Sequence, residues 1–139
     1  MDLSSGFQIE DPSVLIRWGI AEAELEGIFG LSALRRVTDG YYVIPCYSLG
    51  GLRHKLGFHF DPRVGGRLVE LEFFEAYSQE PSFQAFQRHL EATFGPPTQT
   101  APGTEGFLSH FWRVPGAEIS HYVRDHFGPE ENVRIKRKI

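Results

Sequence analysis

The sequence predicts an α+β fold in which two helices cover one face of a mostly antiparallel, six-stranded sheet. Two short segments carry apolar residues at helical spacing, and six others alternate apolar and polar residues or are rich in β-branched and aromatic ones. These segments follow one another in the order αβββαβββ. Helices on one side of an antiparallel sheet bury their apolar stripes in a two-layer structure. We therefore expect a single domain over residues 1–139, with pattern halves of about 1–80 and 81–139.

Helical spacing of apolar residues places the two predicted helices at about 20–29 and 82–94. The apolar residues of the first helix share one face, and its glutamates lie in the first two turns, where they complement the helix dipole. Gly30 and Gly95 follow the last apolar residues and are typical of helix ends. The apolar stripe of the second helix consists of Phe83, Phe86, Leu90 and Phe94. Each helix therefore has one face to bury against a sheet.

Six segments are predicted to be strands, three after each helix. They cover about 41–47, 52–61, 68–77, 107–114, 117–127 and 133–139. Pro45 in the first segment indicates a sheet edge or a bulge, because proline has no N–H to donate to the ladder. The last six residues include the bases Arg134, Lys136, Arg137 and Lys138. Since cations protect an exposed edge from aggregation, the last strand is expected at an edge of the sheet; the alternative is that its bases contact phosphate or an acidic protein.

The turn at Pro115-Gly116 allows the register of one hairpin to be predicted. With a two-residue loop, His110 lies opposite His121. Cross-strand Cβ atoms are about 5 Å apart, which is near enough for two imidazoles to share a metal ion. A third ligand would come from elsewhere in the chain. The alternative is that His110 and His121 are partly buried and each satisfied by a hydrogen bond.

The polar faces of the predicted strands carry a group of charged and aromatic side chains. Glu70 and Glu72 lie on the same face of one strand, roughly 7 Å apart, and the polar face of the preceding strand carries His59 with two bases. On the predicted hairpin register, Phe111 and Tyr122 also share a face. One interpretation is charge pairing across an outward sheet face, and the other is recognition of a partner. The candidate binding residues, on a sheet face free of helices, are His59, Glu70, Glu72, Phe111 and Tyr122.

The composition excludes several classes of protein. The formal net charge is −4 and the pI about 5.8, whereas nucleic-acid binding needs a basic footprint. Cys46 is the only cysteine, which excludes an intrachain disulfide and a multi-cysteine zinc site. No segment has the pattern of a signal peptide or the roughly 18 apolar residues of a membrane helix. We expect a cytoplasmic protein with no nucleic-acid or membrane partner, and 11 arginines against three lysines suggest a GC-rich bacterial genome.

The sequence contains no motif that identifies a catalytic activity: it has no glycine-rich phosphate loop and no Gly-x-Ser-x-Gly turn. Cys46 lies among apolar residues, which is typical of a core thiol. We therefore assign no catalytic residue and no cofactor. The leading hypothesis is binding of a partner protein, with the size and acidity of an inhibitor or immunity protein. Two alternatives stay open: a small-molecule or metal-binding enzyme that uses histidines and carboxylates on the sheet, and a homo-oligomeric structural module.

Overall fold

Ten strands and two α-helices make up the part of the chain that the computed structural model describes, residues 2–30 and 32–138. The elements are β1 (Gly6–Ile9), β2 (Val14–Arg17), α1 (Glu22–Phe29), β3 (Arg35–Thr38), β4 (Tyr41–Ser48), β5 (Leu52–Asp61), β6 (Arg67–Phe74), α2 (Ser82–Phe94), β7 (Gln99–Ala101), β8 (Ser109–Val114), β9 (Ala117–Asp125) and β10 (Pro129–Arg137). Both predicted helices and a strand at each predicted position are present, so the α+β class is confirmed. Ile139, at the end of the last predicted strand, lies outside the described residues.

Eight of the strands form one antiparallel sheet, instead of the six that were predicted. Its strand order is β3-β4-β5-β6-β10-β9-β8-β7, and β1 and β2 form a separate hairpin. Each helix is followed by four consecutive strands that pair with their sequence neighbours. The two groups of four meet at a seam, where residues 70–73 of β6 pair with 133–136 of β10. The expected order αβββαβββ is therefore wrong in the number of strands.

The sheet strands missing from the prediction are short and carry no apolar pattern. β3 has four residues, all exposed, and its pairing with β4 is irregular. β7 has three residues and lies in a segment rich in proline and glycine. These are the two outer strands of the sheet, where little side-chain area is buried, so the sequence contains no alternation that would reveal them. Pro45 lies in β4 beyond the residues that pair with β3, so its missing N–H interrupts no bond to that strand.

The basic last strand lies in the centre of the sheet, and its predicted place at an edge is wrong. Val133 points into the core and is 0% exposed. On the other face, Arg134 lies opposite Glu72 of β6, and Lys136 lies opposite Glu70. The bases of this strand therefore meet cross-strand acids at the seam instead of protecting a sheet edge.

The two helices and the β1–β2 hairpin form a layer on one face of the sheet. Phe7 of β1 packs edge-on against Phe73 of β6, with ring centroids 5.3 Å apart. Phe29 of α1 contacts Phe58 of β5, and α2 also lies against β5. In residues 2–30 and 32–138, no helix lies on the opposite face of the sheet. Neither described helix, of eight and 13 residues, has the length and apolar character needed to cross a membrane.

The turn between β8 and β9 contacts the segment that precedes β1. The N–H of Leu3 donates to the carbonyl of Pro115 at 3.0 Å, and Nε1 of Trp18 donates to the carbonyl of Leu3 at 2.7 Å. Gly116 has a φ of +86°, and a Cβ at this position would lie 2.3 Å from Cα of Ser4. Both the backbone conformation and the close approach therefore require glycine. This contact attaches the start of the chain to the second group of strands.

Candidate binding face

The candidate site lies on the face of the eight-stranded sheet that points away from the helices, here called the open face. Residues directly opposite one another in neighbouring strands share a face. The register pairs His59 with Glu70, Glu72 with Arg134, Ser120 with both Arg134 and Phe111, and Asn132 with Tyr122. His59 follows Phe58, which packs on α1, and so points to the open face. All five predicted binding residues therefore lie on this face. His59, Glu70 and Glu72 are at its centre. Tyr122 lies on β9, two strands beyond β6, and Phe111 lies on β8, three strands beyond β6.

Five side chains at the centre of the open face form one network, here called the central network. Nε2 of His59 lies 2.9 Å from Oε2 of Glu72, and the hydroxyl of Tyr41 donates to the same oxygen at 3.4 Å. Arg134 donates to Glu70 at 3.1 Å and to Glu72 at 3.5 Å. The central network therefore connects β4, β5, β6 and β10 across the seam. Tyr41 and Arg134 were not among the predicted site residues.

Hydrogen bonds, burial and neighbouring charges shift the pKa values of Glu72 and Tyr41 in the central network. The hydrogen bond from His59 lowers the pKa of Glu72, and the charge of Arg134 reinforces this effect against the opposing influence of burial. Burial, followed by the charge of Glu72, raises the pKa of Tyr41 to about 12. Glu72 is therefore ionised near neutral pH, and the Tyr41 hydroxyl keeps its proton and acts as a donor.

Gly57 allows the ring of Tyr41 to lie across β5. The ring stacks on the imidazole of His59, with centroids 4.4 Å apart and planes inclined by 10°. A Cβ at Gly57 would lie 2.7 Å from Cε1 of Tyr41, so a larger residue would displace the ring. A glycine inside an alternating strand marks a close approach of another group. This glycine is a sequence signal for a close approach at this point of β5, and the structure shows that Tyr41 makes it.

A hollow of about 340 Å³ lies beside the central network on the open face. Ser120 of β9 lies between Phe111 and Arg134 of the neighbouring strands, and its small side chain leaves space between these larger ones. The charged residues around the hollow are Glu70, Arg113, Glu118, Arg134 and Lys136. The hollow thus brings together Phe111 and Glu70 of the predicted residues, and Tyr122 lies elsewhere on the open face.

The predicted register of the β8–β9 hairpin is confirmed, with His110 opposite His121 and ring centroids 6.3 Å apart. Both histidines lie on the helix side of the sheet. His121 is 0% exposed, and the ring of Phe83 in α2 stacks on it at 4.0 Å. Its Nδ1 lies 2.8 Å from Oε1 of Gln87, and its Nε2 lies 2.7 Å from Oε2 of Glu131. The contacts with Phe83 and Gln87 attach α2 to the sheet.

Within residues 2–30 and 32–138, the histidine pair and its surroundings do not form the predicted three-ligand metal site. Among the residues that the structure describes, no three His, Cys, Asp or Glu side chains are grouped to hold a metal ion. Both ring nitrogens of His121 have polar neighbours, as the hydrogen-bonded alternative requires. Burial, followed by the proximity of His121, lowers the pKa of His110. Nδ1 of His110 is buried and has no hydrogen-bond partner within 2–30 and 32–138.

The single cysteine is part of the core. Burial raises the pKa of the Cys46 thiol to about 12. Nε2 of His54 lies 3.9 Å from its sulfur, but His54 is itself 0% exposed, and burial lowers the pKa of this imidazole to about 4. A protonated thiol beside a neutral imidazole lacks the thiolate that nucleophilic catalysis needs. These two residues therefore pack the core.

The fold and the open face define an α+β protein with one eight-stranded antiparallel sheet that is covered on one side. The chain is similar in structure to a crystal structure of a DUF4309 family protein (YjgB) from Bacillus subtilis subsp. subtilis str. 168. The two have 12% sequence identity and a TM-score of 0.50, and the match covers 85% of this chain and 78% of that one. At this level of identity the similarity shows the fold alone. No protein-family model matches the chain, and no curated protein matches its sequence.

Proposed function

We propose that this protein acts by binding another protein through its open face. The observation that carries the proposal is the combination, on one helix-free sheet face, of a hollow, aromatic side chains and a connected group of charges. Aromatic residues and arginine are enriched in protein interfaces, and charged groups give an interface its specificity. Phe111 and Tyr122 supply the aromatic part, and the central network supplies the charges.

The side chains of the central network are held by hydrogen bonds to one another. Glu72 accepts hydrogen bonds from His59, Tyr41 and Arg134, and these donors come from three different strands. Side chains that are already fixed lose less rotamer freedom when a complex forms. A face of this kind suits one specific partner better than non-specific adhesion.

Further aromatic and charged side chains extend the open face around β5. The guanidinium of Arg53 lies 4.7 Å from the ring centroid of Tyr77, and Lys55 pairs with Glu75 at 2.7 Å. Tyr47 and Tyr77 are 40% and 43% exposed. Partly exposed tyrosines provide large contact areas at low cost in conformational entropy, and they are common among residues that dominate binding energy. The open face therefore offers contacts on both sides of the central network.

Within this proposal we keep the expectation of an inhibitor or immunity protein in the bacterial cytoplasm. Such a protein works by occupying its partner with a preformed surface, which the open face provides. The enzyme alternative has less support, because the Cys46 thiol is protonated and His54 and His121 are engaged in buried contacts. Self-association is separated from partner binding by the experiment below.

Affinity purification from the native cell tests the proposal. Tagged wild-type protein is expected to retain a stoichiometric partner, which is then identified, produced in pure form and titrated calorimetrically against the variants. The open-face double variant Glu70→Gln, Tyr122→Ala is expected to bind at least tenfold more weakly, a loss of about 1.4 kcal/mol. Arg17→Gln, on the exposed side of β2, is the matched control and should bind as the wild type does.

Two outcomes would refute the proposal. The first is that the wild-type protein retains no stoichiometric partner and stays monomeric in light scattering over a dilution series. The second is that the open-face variant and the Arg17 variant bind the purified partner equally well. A concentration-dependent dimer that is lost in the open-face variant would support the homo-oligomeric alternative instead.

A further inference from the structure

The hollow beside the central network has the size of a pocket for a small group. Its volume of about 340 Å³ is at the lower end of the roughly 300–1,000 Å³ that ligand pockets occupy. It is open to the same face as the central network, and the aromatic ring of Phe111 forms part of its lining. The hollow therefore accepts one or two side chains of a partner rather than a large cofactor.

Cations outnumber carboxylates around the hollow, with Arg113, Arg134 and Lys136 against Glu70 and Glu118. Arg134 is already paired with Glu70 at 3.1 Å. Within the part of the chain that the structure describes, neither Arg113 nor Lys136 forms an ion pair. In the sheet register both of these cations lie opposite the same residue, Glu118. Lys136 also lies opposite Glu70, which Arg134 already engages, so two carboxylates face three cations around the hollow and a local excess of positive charge remains.

We infer that the hollow is a subsite for a carboxylate, supplied by an aspartate or glutamate in an acidic segment of the partner protein. The inference rests on the proposed function and names the chemistry of the partner. The guanidinium of Arg113 can donate two parallel hydrogen bonds to a carboxylate, and the ammonium of Lys136 adds a second cationic donor. The ring of Phe111 offers apolar surface to the methylene groups of the same side chain. Because the chain as a whole has a net charge of −4, the hollow is a local positive exception that guides where an acidic segment docks.

The two carboxylates at the hollow favour a ligand with a single negative charge. With three cations and two carboxylates in its lining the hollow has a net charge of about +1, which one carboxylate neutralises, whereas a phosphate group carries about −1.5 to −2 charges near neutral pH and overcompensates it. Glu118 also limits the affinity for any anion, because it already faces both Arg113 and Lys136. An isolated acidic peptide is therefore expected to bind weakly, and selectively when compared with its neutral amide counterpart.

A titration of the ¹⁵N-labelled full chain, followed by NMR at low ionic strength, tests the inference. The probe is the peptide Ac-Gly-Glu-Glu-Gly-NH₂, and Ac-Gly-Gln-Gln-Gly-NH₂ is its uncharged control. The acidic peptide is expected to shift the amide signals of residues 111–113 and 118–120. Arg113→Gln and Lys136→Gln should each weaken binding about threefold, as is typical for one exposed charge contact. Lys138→Gln, which removes the same charge two residues from Lys136 and outside the hollow, should leave the affinity unchanged.

Several results would overturn the carboxylate subsite. Equal amide shifts from the acidic and the amide peptide would show that the charge of the peptide is not recognised. Equal losses of affinity in the Lys136 and Lys138 variants would show general electrostatic attraction to the protein rather than binding in the hollow. Displacement of the acidic peptide by an equal concentration of inorganic phosphate would make phosphate the ligand. If the double variant Arg113→Gln, Lys136→Gln binds the purified partner as tightly as the wild type, the subsite has no role in the complex, although the proposed function stands. If the peptide binds but the cell contains no partner, the proposed function fails and the carboxylate site remains.

Discussion

Burial of His54 in the core is expected to make the free energy of unfolding depend on pH. It is 0% exposed and contacts the rings of Phe73 and Phe86. Its Nδ1 lies 3.0 Å from the carbonyl of Lys55, and its Nε2 lies beside Oγ of Ser48. The neutral imidazole satisfies both neighbours if Nδ1 donates to the carbonyl and Nε2 accepts from the hydroxyl. A second proton would place a charge in the core and leave the serine without its acceptor.

Burial lowers the pKa of His54 from 6.5 to about 4. Between these two pH values the unfolded chain binds a proton at this position that the folded chain excludes, so the free energy of unfolding decreases as the pH falls from 6.5 towards 4. Above pH 6.5 the imidazole is neutral in both states and has no effect on the pH dependence. At about 1.4 kcal/mol per pKa unit, the stability lost at pH 4 is about 3 kcal/mol.

Urea unfolding of the wild type and of His54→Gln, measured from pH 7.5 to pH 4, tests this value. Glutamine is neutral throughout the range and keeps one donor and one acceptor, so the variant is expected to lose about 3 kcal/mol less than the wild type over this interval. The difference between the two curves isolates His54 from the other histidines. Parallel curves would refute the reasoning. An NMR titration of the wild type that finds His54 protonating near pH 6.5 would refute it independently, even if the variant does not fold.

Three further predictions concern the thiol, the central network and the turn between β9 and β10. Because burial raises the pKa of Cys46 to about 12, a thiol reagent at pH 8 is expected to react with it only in denaturant, and a rapid reaction of the native protein would contradict the core assignment. Glu72→Gln removes the charge that, after burial, contributes most to the raised pKa of Tyr41. In an NMR titration the pKa of this hydroxyl should therefore fall below about 12 but stay above 10, because burial remains. An unchanged pKa would show that the charge of Glu72 does not act on Tyr41. Phe127 is 101% exposed and has a φ of +57°, a backbone conformation that is strained for a residue with a Cβ. Phe127→Gly is therefore expected to raise the free energy of unfolding by about 0.5–1 kcal/mol, whereas Phe127→Ala keeps the Cβ and should give no gain. Equal effects of the two variants would exclude backbone strain as the cause.

The parts of the fold that the sequence predicts correctly are those with local signals. Helix α2 is predicted at 82–94 and observed at Ser82–Phe94, because its apolar stripe is followed at once by Gly95 and two prolines. The β8–β9 register follows from one two-residue turn between alternating segments. In both cases the deciding residues lie within a few positions of the element that they specify.

The parts that the sequence does not predict depend on contacts between distant residues. The β1–β2 hairpin has strands of four residues each, which are too short to show a period, although Phe7 and Ile16 within it are buried. The pairing of β6 with β10 brings Glu72 against Arg134, which are 62 residues apart in the chain. His59, Glu70 and Glu72 could be placed on one face from neighbouring strands, whereas Arg134 could join them only when the seam was known. The bases of the last strand pointed to a sheet edge, because the acids of β6 that lie opposite them are distant in the sequence and could not be paired with them in advance.

The charges on the open face fall into two groups that need different explanations. Glu72 and Arg134 lie directly opposite each other at the seam, and a slip of one strand by one residue would turn one of these two charges towards the helices and into the core. The need to fix this register explains their presence, and it would do so in a protein without any partner. Arg113 and Lys136 also have cross-strand acids opposite them, but they form no ion pair among the described residues, so they fix the register less than Arg134 does. The physical case for a binding partner therefore rests more on the hollow than on the central network, although the central network has the shorter contacts.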